Sequence, residues 1–374
     1  MTAEAAKKGG KKIAVIGASG TLGQLITALL QAEFADAQII AASRHQSPPE
    51  GSDQAALEHR YLDLEEPETF SAALDDVDLV IHAAGPFNHD PSELVHACLS
   101  KNIHYIDIAE DLNFIDRVRA TTQNYQKEHS GGSASSACII SGCSTVPGMV
   151  ALLSQYFDSL PALSHINVYL NMGSANPVTP GLIQGLLQPL GMKLSSGQRC
   201  FRRLRTRKHR DGIKKRYGNY PIPFHKGVEV AGHDIAVRFY VGFDRSYINY
   251  ALAASSFIIP RLSPKRLKQL SSRLALPASL LRCCGSDEGR LVLEACNTAG
   301  QCIMEVEIIA RQQGLTLPAA PSVWAARVLL DCPDQSASGY TELTQILSPE
   351  YATYWIDSHD CYEVNFYGGN EGDR

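Results

Sequence analysis

Long apolar runs are missing from this sequence. No window holds the roughly 18 uninterrupted apolar residues that a membrane-spanning helix requires. The basic start, MTAEAAKKGGKK, lacks the apolar segment of a secretory signal. Paired cysteines are missing too: the ten cysteines are scattered, only Cys283 and Cys284 are adjacent, and no C-x-x-C occurs. In a chain of this size that argues against a disulfide framework or a metal site, and for reduced thiols in a cytoplasm. No charge of one sign dominates either. The formal net charge of −5 gives no general attraction to nucleic acid or membrane. What is present is ordinary for a soluble globular protein, with 44% hydrophobic and 20% charged residues. At 374 residues the chain is too long for one ordinary core and fits two domains.

The stretch KIAVIGASGTLG, residues 12–23, organises the first of them. A short apolar run at 13–16 ends in Gly17, Gly20 and Gly23, and an apolar helical pattern at 22–30 follows at once. Strand, turn and helix in that order begin a dinucleotide-binding unit. Gly17 permits the tight turn, Gly20 lets backbone N–H groups approach a pyrophosphate, and Gly23 lets the helix sit close on the sheet. Ser19 and Thr21 add hydroxyl donors. Further strands are expected at 38–42, 59–64, 78–84, 103–108 and 138–141, with helices at 67–74, at 91–100 and from Asp111 to about residue 127. The tracts 47–56 and 130–136 read as loops. This alternation indicates an α/β Rossmann domain, a doubly wound parallel sheet, over residues 1–148.

The residues after the second strand distinguish the cofactors. An NAD enzyme places Asp or Glu there to bind the ribose 2′-OH. Here Ser43-Arg44-His45 stands instead, and Asp36 precedes the strand, at the wrong end of the sheet. The Arg44 guanidinium suits a 2′-phosphate through paired, charge-assisted hydrogen bonds, so NADP is the expected cofactor. Asp63 either hydrogen-bonds the adenine amino group or caps the next turn. Ala84, Gly85, Pro86 and Phe87 stand at a carboxyl edge, where a cofactor passes the sheet. The expected cofactor-binding set is Gly17, Ser19, Gly20, Thr21, Leu22, Gly23, Ser43, Arg44, Asp63 and Ala84 to Phe87.

From residue 149 the pattern changes. A helix at 149–158 precedes an alternating strand at 166–172, and further strands are expected at 233–243, 289–295 and 301–310. The last two form a hairpin about residues 297–300. An α+β domain on a mostly antiparallel sheet is expected at 149–315, serving substrate binding and homodimer formation. Residues 316–374 are expected as a C-terminal helical segment packing back on the Rossmann domain.

The set GASGTLG, HAAGPF (82–87), YIDIAED (105–111), GCSTVPG (142–148) and the late APSVWAARVLL resembles the saccharopine dehydrogenase-like oxidoreductases. That resemblance implies an NAD(P)-binding Rossmann domain with a substrate domain, and reduction of imines or, in some branches, of carbon–carbon double bonds. The chain departs from the family at Cys143-Ser144, where an aromatic-acidic pair is usual, and around Ala109.

Asp107 and Glu110 follow a strand at its carboxyl end, where they either handle a proton and hold a substrate amine or cap the next helix. Cys143 is a nucleophile only with a lowered pKa, and is otherwise a pocket wall. Asp107 and Cys143 are the catalytic candidates. Tyr105 has no Y-x-x-x-K lysine beside it. A second signal is the run at 199–216, which holds ten Lys or Arg and one acid, Asp211. It is either a solvated loop or helix face, or a dock for an anionic partner such as an acidic carrier protein. RNA is disfavoured because only Phe201 interleaves the cations. The expected function is NADPH-dependent imine reduction on a small biosynthetic intermediate. The alternatives are a trans-acting enoyl reductase on a carrier-bound acyl chain, and a non-catalytic NADP-binding protein.

Overall fold

The computed structural model describes residues 10–44, 57–130, 135–331 and 338–368. Two compact units divide the chain: one runs to Ser144 and takes up Ala319–Ile346, the other comprises Thr145–Pro318 and the chain from Leu347. In chain order the strands are β1 (Lys12–Ile16), β2 (Gln38–Ser43), β3 (Glu58–Tyr61), β4 (Leu79–His82), β5 (His104–Asp107), β6 (Cys138–Ile140), β7 (His165–Met172) and β8 (Leu204–Lys208). They continue as β9 (Lys214–Tyr220), β10 (Val228–Val230), β11 (His233–Phe243), β12 (Gly289–Cys296), β13 (Cys302–Ala310), β14 (Gly339–Tyr340) and β15 (Tyr362–Gly368).

In the first unit seven parallel strands lie in the order β14-β6-β5-β4-β1-β2-β3. A strand covered on both faces must be apolar at consecutive positions, and KIAVI is buried from Ile13 to Ile16. The covering helices include α1 (Thr21–Glu33), α2 (Phe70–Ala73), α3 (Ser92–Ser100) and α4 (Leu112–Glu128). Val80, Val95, Cys98, Tyr105, Phe114 and Val118 belong to the core of this unit. Asp111 starts α4 by accepting the Phe114 N–H at 3.0 Å. A single helix was expected at 67–74; the segment instead makes a 3-10 turn at Pro67–Thr69 before α2. The tract 47–56 lies outside the described residues, as does 131–134.

The helix Ala320–Asp331 buries ten of its residues, Trp324 among them, which requires packing on several sides. Its Arg327 pairs with Glu33 at 2.8 Å and lies 4.3 Å over the Phe34 ring. Residues 316–374 were expected as one helical segment on the Rossmann domain, and that expectation needs correcting. Gly339–Tyr340 adds a parallel strand to β6, whereas Tyr362–Gly368 belongs to the second unit and pairs with β13. The segment YEVNFYG alternates Val364 and Phe366 with polar neighbours, which is a strand's period.

The second unit holds an eight-stranded sheet, β15-β13-β12-β7-β11-β9-β8 with β10 beside β11, in which only the β7–β11 pair is parallel. Its alternation separates two faces. Ile166, Val168, Leu291, Leu293, Val306 and Ile308 are buried on one. Asn167, Tyr169, Glu294, Glu305 and Glu307 stand on the other, opposite one another in register. The basic run forms no helix: its residues 204–208 and 214–216 lie in the hairpin of β8 and β9, and the rest are turns. The turn takes Gly212 at φ +82°, and Asp211 accepts the Ile213 N–H at 2.9 Å.

Candidate functional site

The glycine turn leaves β1 at the point where strand order reverses. Gly17 has φ +81° and donates its N–H to the Ala42 carbonyl at 2.9 Å. A Cβ there would stand 2.7 Å from the Ala84 Cα, so no other residue fits. Gly20 caps α1, and no side chain occupies the cap. A Cβ on Gly23 would collide with the Gly17 carbonyl. First-turn amides have no partner within a helix, and α1 has no acid in its first turn to compete for them. The geometry is thus a close backbone cradle at a positive helix end, which fits a pyrophosphate.

Arg44 is exposed, one residue past the end of β2, with Ser43 accepting the Leu62 N–H at 3.0 Å. Asp36 precedes β2, at the other end of the strand. Asp63 turns out to be a cap, its carboxylate accepting the Glu65 N–H at 3.0 Å while its own N–H donates to Thr69 Oγ1. The adenine role is left without support. Ala84 and Phe87 are half-buried, and Gly85 and Pro86 exposed, directly beyond β4.

Asp107 and Cys143, the catalytic candidates, are both buried behind this edge. Asp107 is fully buried, and its Oδ1 accepts the N–H groups of Ala109 and Gly142, each at 2.9 Å. Burial pushes its carboxyl up to about 6, against the pull of those two amides. This carboxylate ties the turn after β5 to the turn after β6. Cys143 is fully buried, its N–H donates to the Asp107 carbonyl at 2.7 Å, and burial beside Asp107 drives the thiol well above its usual range. A thiol so disfavoured as thiolate is a poor nucleophile. Glu110 is an exposed acid at this edge, and it accepts the Ser144 hydroxyl at 3.0 Å.

Sequence reasoning passed over two histidines. His82 ends β4, fully buried, with Nδ1 3.0 Å from the Tyr105 hydroxyl. His89 stands 5.1 Å from it, ring to ring. The HAAGPFNH spacing was the available signal, since both flank the Gly85-Pro86 turn.

In the second unit three cations of the basic run pair with the protein's own acids. Arg207 pairs with Glu294 at 2.7 Å and Glu305 at 3.0 Å, Arg210 with Glu305 at 3.6 Å, and Lys215 with Glu288 at 3.5 Å. His209 lies between Arg207 and the Tyr217 hydroxyl, 2.7 Å from each. Burial alone would lower the Arg207 pKa, but the two glutamates raise it. Arg202 rests on the Phe257 ring at 3.7 Å, and Arg203, Arg205, Lys208 and Lys214 are exposed.

Seven parallel strands in this order, with a glycine cradle at the reversal, define a Rossmann dinucleotide-binding unit. Residues 13–135 match the family model described as the saccharopine dehydrogenase NADP binding domain. Over those residues the first unit is similar to that NADP-binding domain, which makes NADP its cofactor. Among solved structures, homospermidine synthase from Legionella pneumophila in complex with NAD has the same fold. It aligns over 97% of this chain and 93% of its own, at 12% identity and a TM-score of 0.58. An amine dehydrogenase from Mycobacterium smegmatis aligns over 90% of this chain and 96% of its own, at 8% identity and a TM-score of 0.45. No curated protein matches the sequence. Among the described residues no helix is long and apolar enough to cross a membrane, and no group of three or more His, Cys, Asp or Glu is placed to hold a metal ion.

Proposed function

We propose that the chain is an NADPH-dependent reductase acting on an imine (C=N) of a small biosynthetic intermediate. The observation that carries this reading is the Glu110–Ser144 pair, at 3.0 Å, on the carboxyl edge of the sheet that also bears the glycine cradle. When bound, NADPH supplies a hydride to the imine carbon. The chain's part is to bind, orient and balance charge. Gly17, Gly20 and Gly23 admit the pyrophosphate, and Arg44 pairs with the 2′-phosphate. Ala84 to Phe87 take the nicotinamide side. Glu110, oriented by the Ser144 hydroxyl, holds the substrate amine or delivers the proton that the imine nitrogen gains as the carbon is reduced.

Enoyl reduction on a carrier-bound chain is less well supported. Its argument was the basic run, and three of that run's ten cations, Arg207, Arg210 and Lys215, are engaged with the protein's own carboxylates.

Titration with NADPH and NADH, followed by fluorescence, tests the cofactor assignment. Arg44→Ala is expected to weaken NADPH about tenfold or more and to leave NADH unchanged. Equal binding of both cofactors by the wild type rejects the 2′-phosphate role. NADPH oxidation with enoyl thioesters but not with cyclic imines rejects the substrate class.

A further inference from the structure

His82 ends β4 with Ile16 of β1 as its neighbour on one side and Asp107 of β5 on the other, so it lies at the reversal of strand order. Burial, with His89 nearby, pulls its imidazole down to about 3, and it is neutral at any physiological pH. The ring is enclosed by Phe87 at 5.3 Å, His89 at 5.1 Å and Phe114 at 5.8 Å, while Phe87 meets Phe114 edge-on at 5.0 Å. Its Nδ1 shares the 3.0 Å hydrogen bond with Tyr105, a fully buried member of the core. An unbroken line of contacts thus runs from the core through Tyr105 and His82 to Phe87, the last residue of the Gly85-Pro86-Phe87 turn.

We propose that His82 is a positioning residue that sets the height and tilt of the Gly85-Pro86-Phe87 turn against the nicotinamide. The inference rests on the assignment of that turn to the nicotinamide side. A phenyl ring in place of the imidazole could fill the space but not the role, because the buried Tyr105 hydroxyl would lose its hydrogen bond to the ring. An aliphatic residue would lose the flat ring on which Phe87 rests as well. Only a planar group with a ring nitrogen at the Tyr105 end does both.

The test uses the full chain and NADPH alone, so no substrate need be known. Bound NADPH is followed by its emission intensity and lifetime, which report the nicotinamide's surroundings, while titration gives Kd. His82→Phe and Tyr105→Phe are each expected to leave Kd within about threefold, because the phosphate sites lie elsewhere, and to cut the emission change at least about twofold. The double variant is expected to lose no more than either single one, since both remove the same bond. Unchanged emission in both single variants overturns the proposal. So does a parallel fall of emission, affinity and melting temperature, which would make His82 a purely structural residue. A wild type that binds NADPH with no emission change instead removes the nicotinamide assignment, and this inference falls with it.

Discussion

Between pH 7 and pH 4, His82 and Asp107 should push stability in opposite directions. Above about pH 6.5 the His82 imidazole is neutral in both folded and unfolded chains and costs nothing. Below that, the unfolded chain takes up a proton that folded His82 refuses until about pH 3, so stability falls with pH. Asp107 does the reverse. Its folded carboxyl protonates at about 6 and its unfolded one at 3.8, so stability rises as the pH drops through that window. At about 1.4 kcal/mol per pH unit, each contribution amounts to about 3 kcal/mol at pH 4, and the two nearly cancel. Each should be exposed by deleting the other. Denaturant unfolding followed by circular dichroism, at half-unit steps from pH 4 to 7, measures the difference from wild type. His82→Asn should gain about 3 kcal/mol at pH 4 relative to its own value at pH 7, and Asp107→Asn should lose about as much. Asn keeps an oxygen for the Ala109 and Gly142 amides, which separates the titration from the lost clamp. Variant curves parallel to wild type within about 0.5 kcal/mol would refute the reasoning.

Three further outcomes follow from the packing. Gly23→Ala drives a methyl group into the Gly17 carbonyl and should weaken NADPH binding by about tenfold or more, read by titration. Arg207→Ala leaves Glu294 and Glu305 facing each other with most of their charge uncompensated, and should cost about 3–5 kcal/mol in denaturant unfolding. An aromatic disulfide reagent should label the exposed Cys283 in the native protein and spare Cys143, as read by mass spectrometry, and Cys143→Ala should retain NADPH binding.

The first unit was the more legible because a parallel sheet buried on both faces leaves contiguous apolar runs such as IAVI and LVIH. The glycine spacing reports a steric requirement directly, since Gly17 and Gly23 abut backbone atoms. The Ser43-Arg44 pair likewise pointed to NADP, the cofactor of the matched family. The basic run was opaque for a different reason. Ten cations in eighteen residues look solvated until their counter-charges are known. Those acids lie on β13, on β12 and just before it, with Glu294 separated from Arg207 by 87 positions. The roles of Cys143 and Asp107 stayed open in the sequence because polarity at a strand's end looks the same whether the side chain meets solvent or clamps a neighbouring turn. The contact between His82 and Tyr105 spans 23 positions and two strands, and no local pattern encodes it.

The seventh strand of the first sheet has a consequence for synthesis. A ribosome releases Ser144 long before Ala319, and β14 with the Trp324 helix comes only after the whole intervening unit. At roughly 5–20 residues per second, the nascent Rossmann sheet waits about 10–35 s with its β6 edge unpaired and the apolar surface under Trp324 uncovered. During that interval it is a template for any passing strand. Nascent chains stalled before residue 319 should therefore bind chaperones more strongly than those stalled after residue 346.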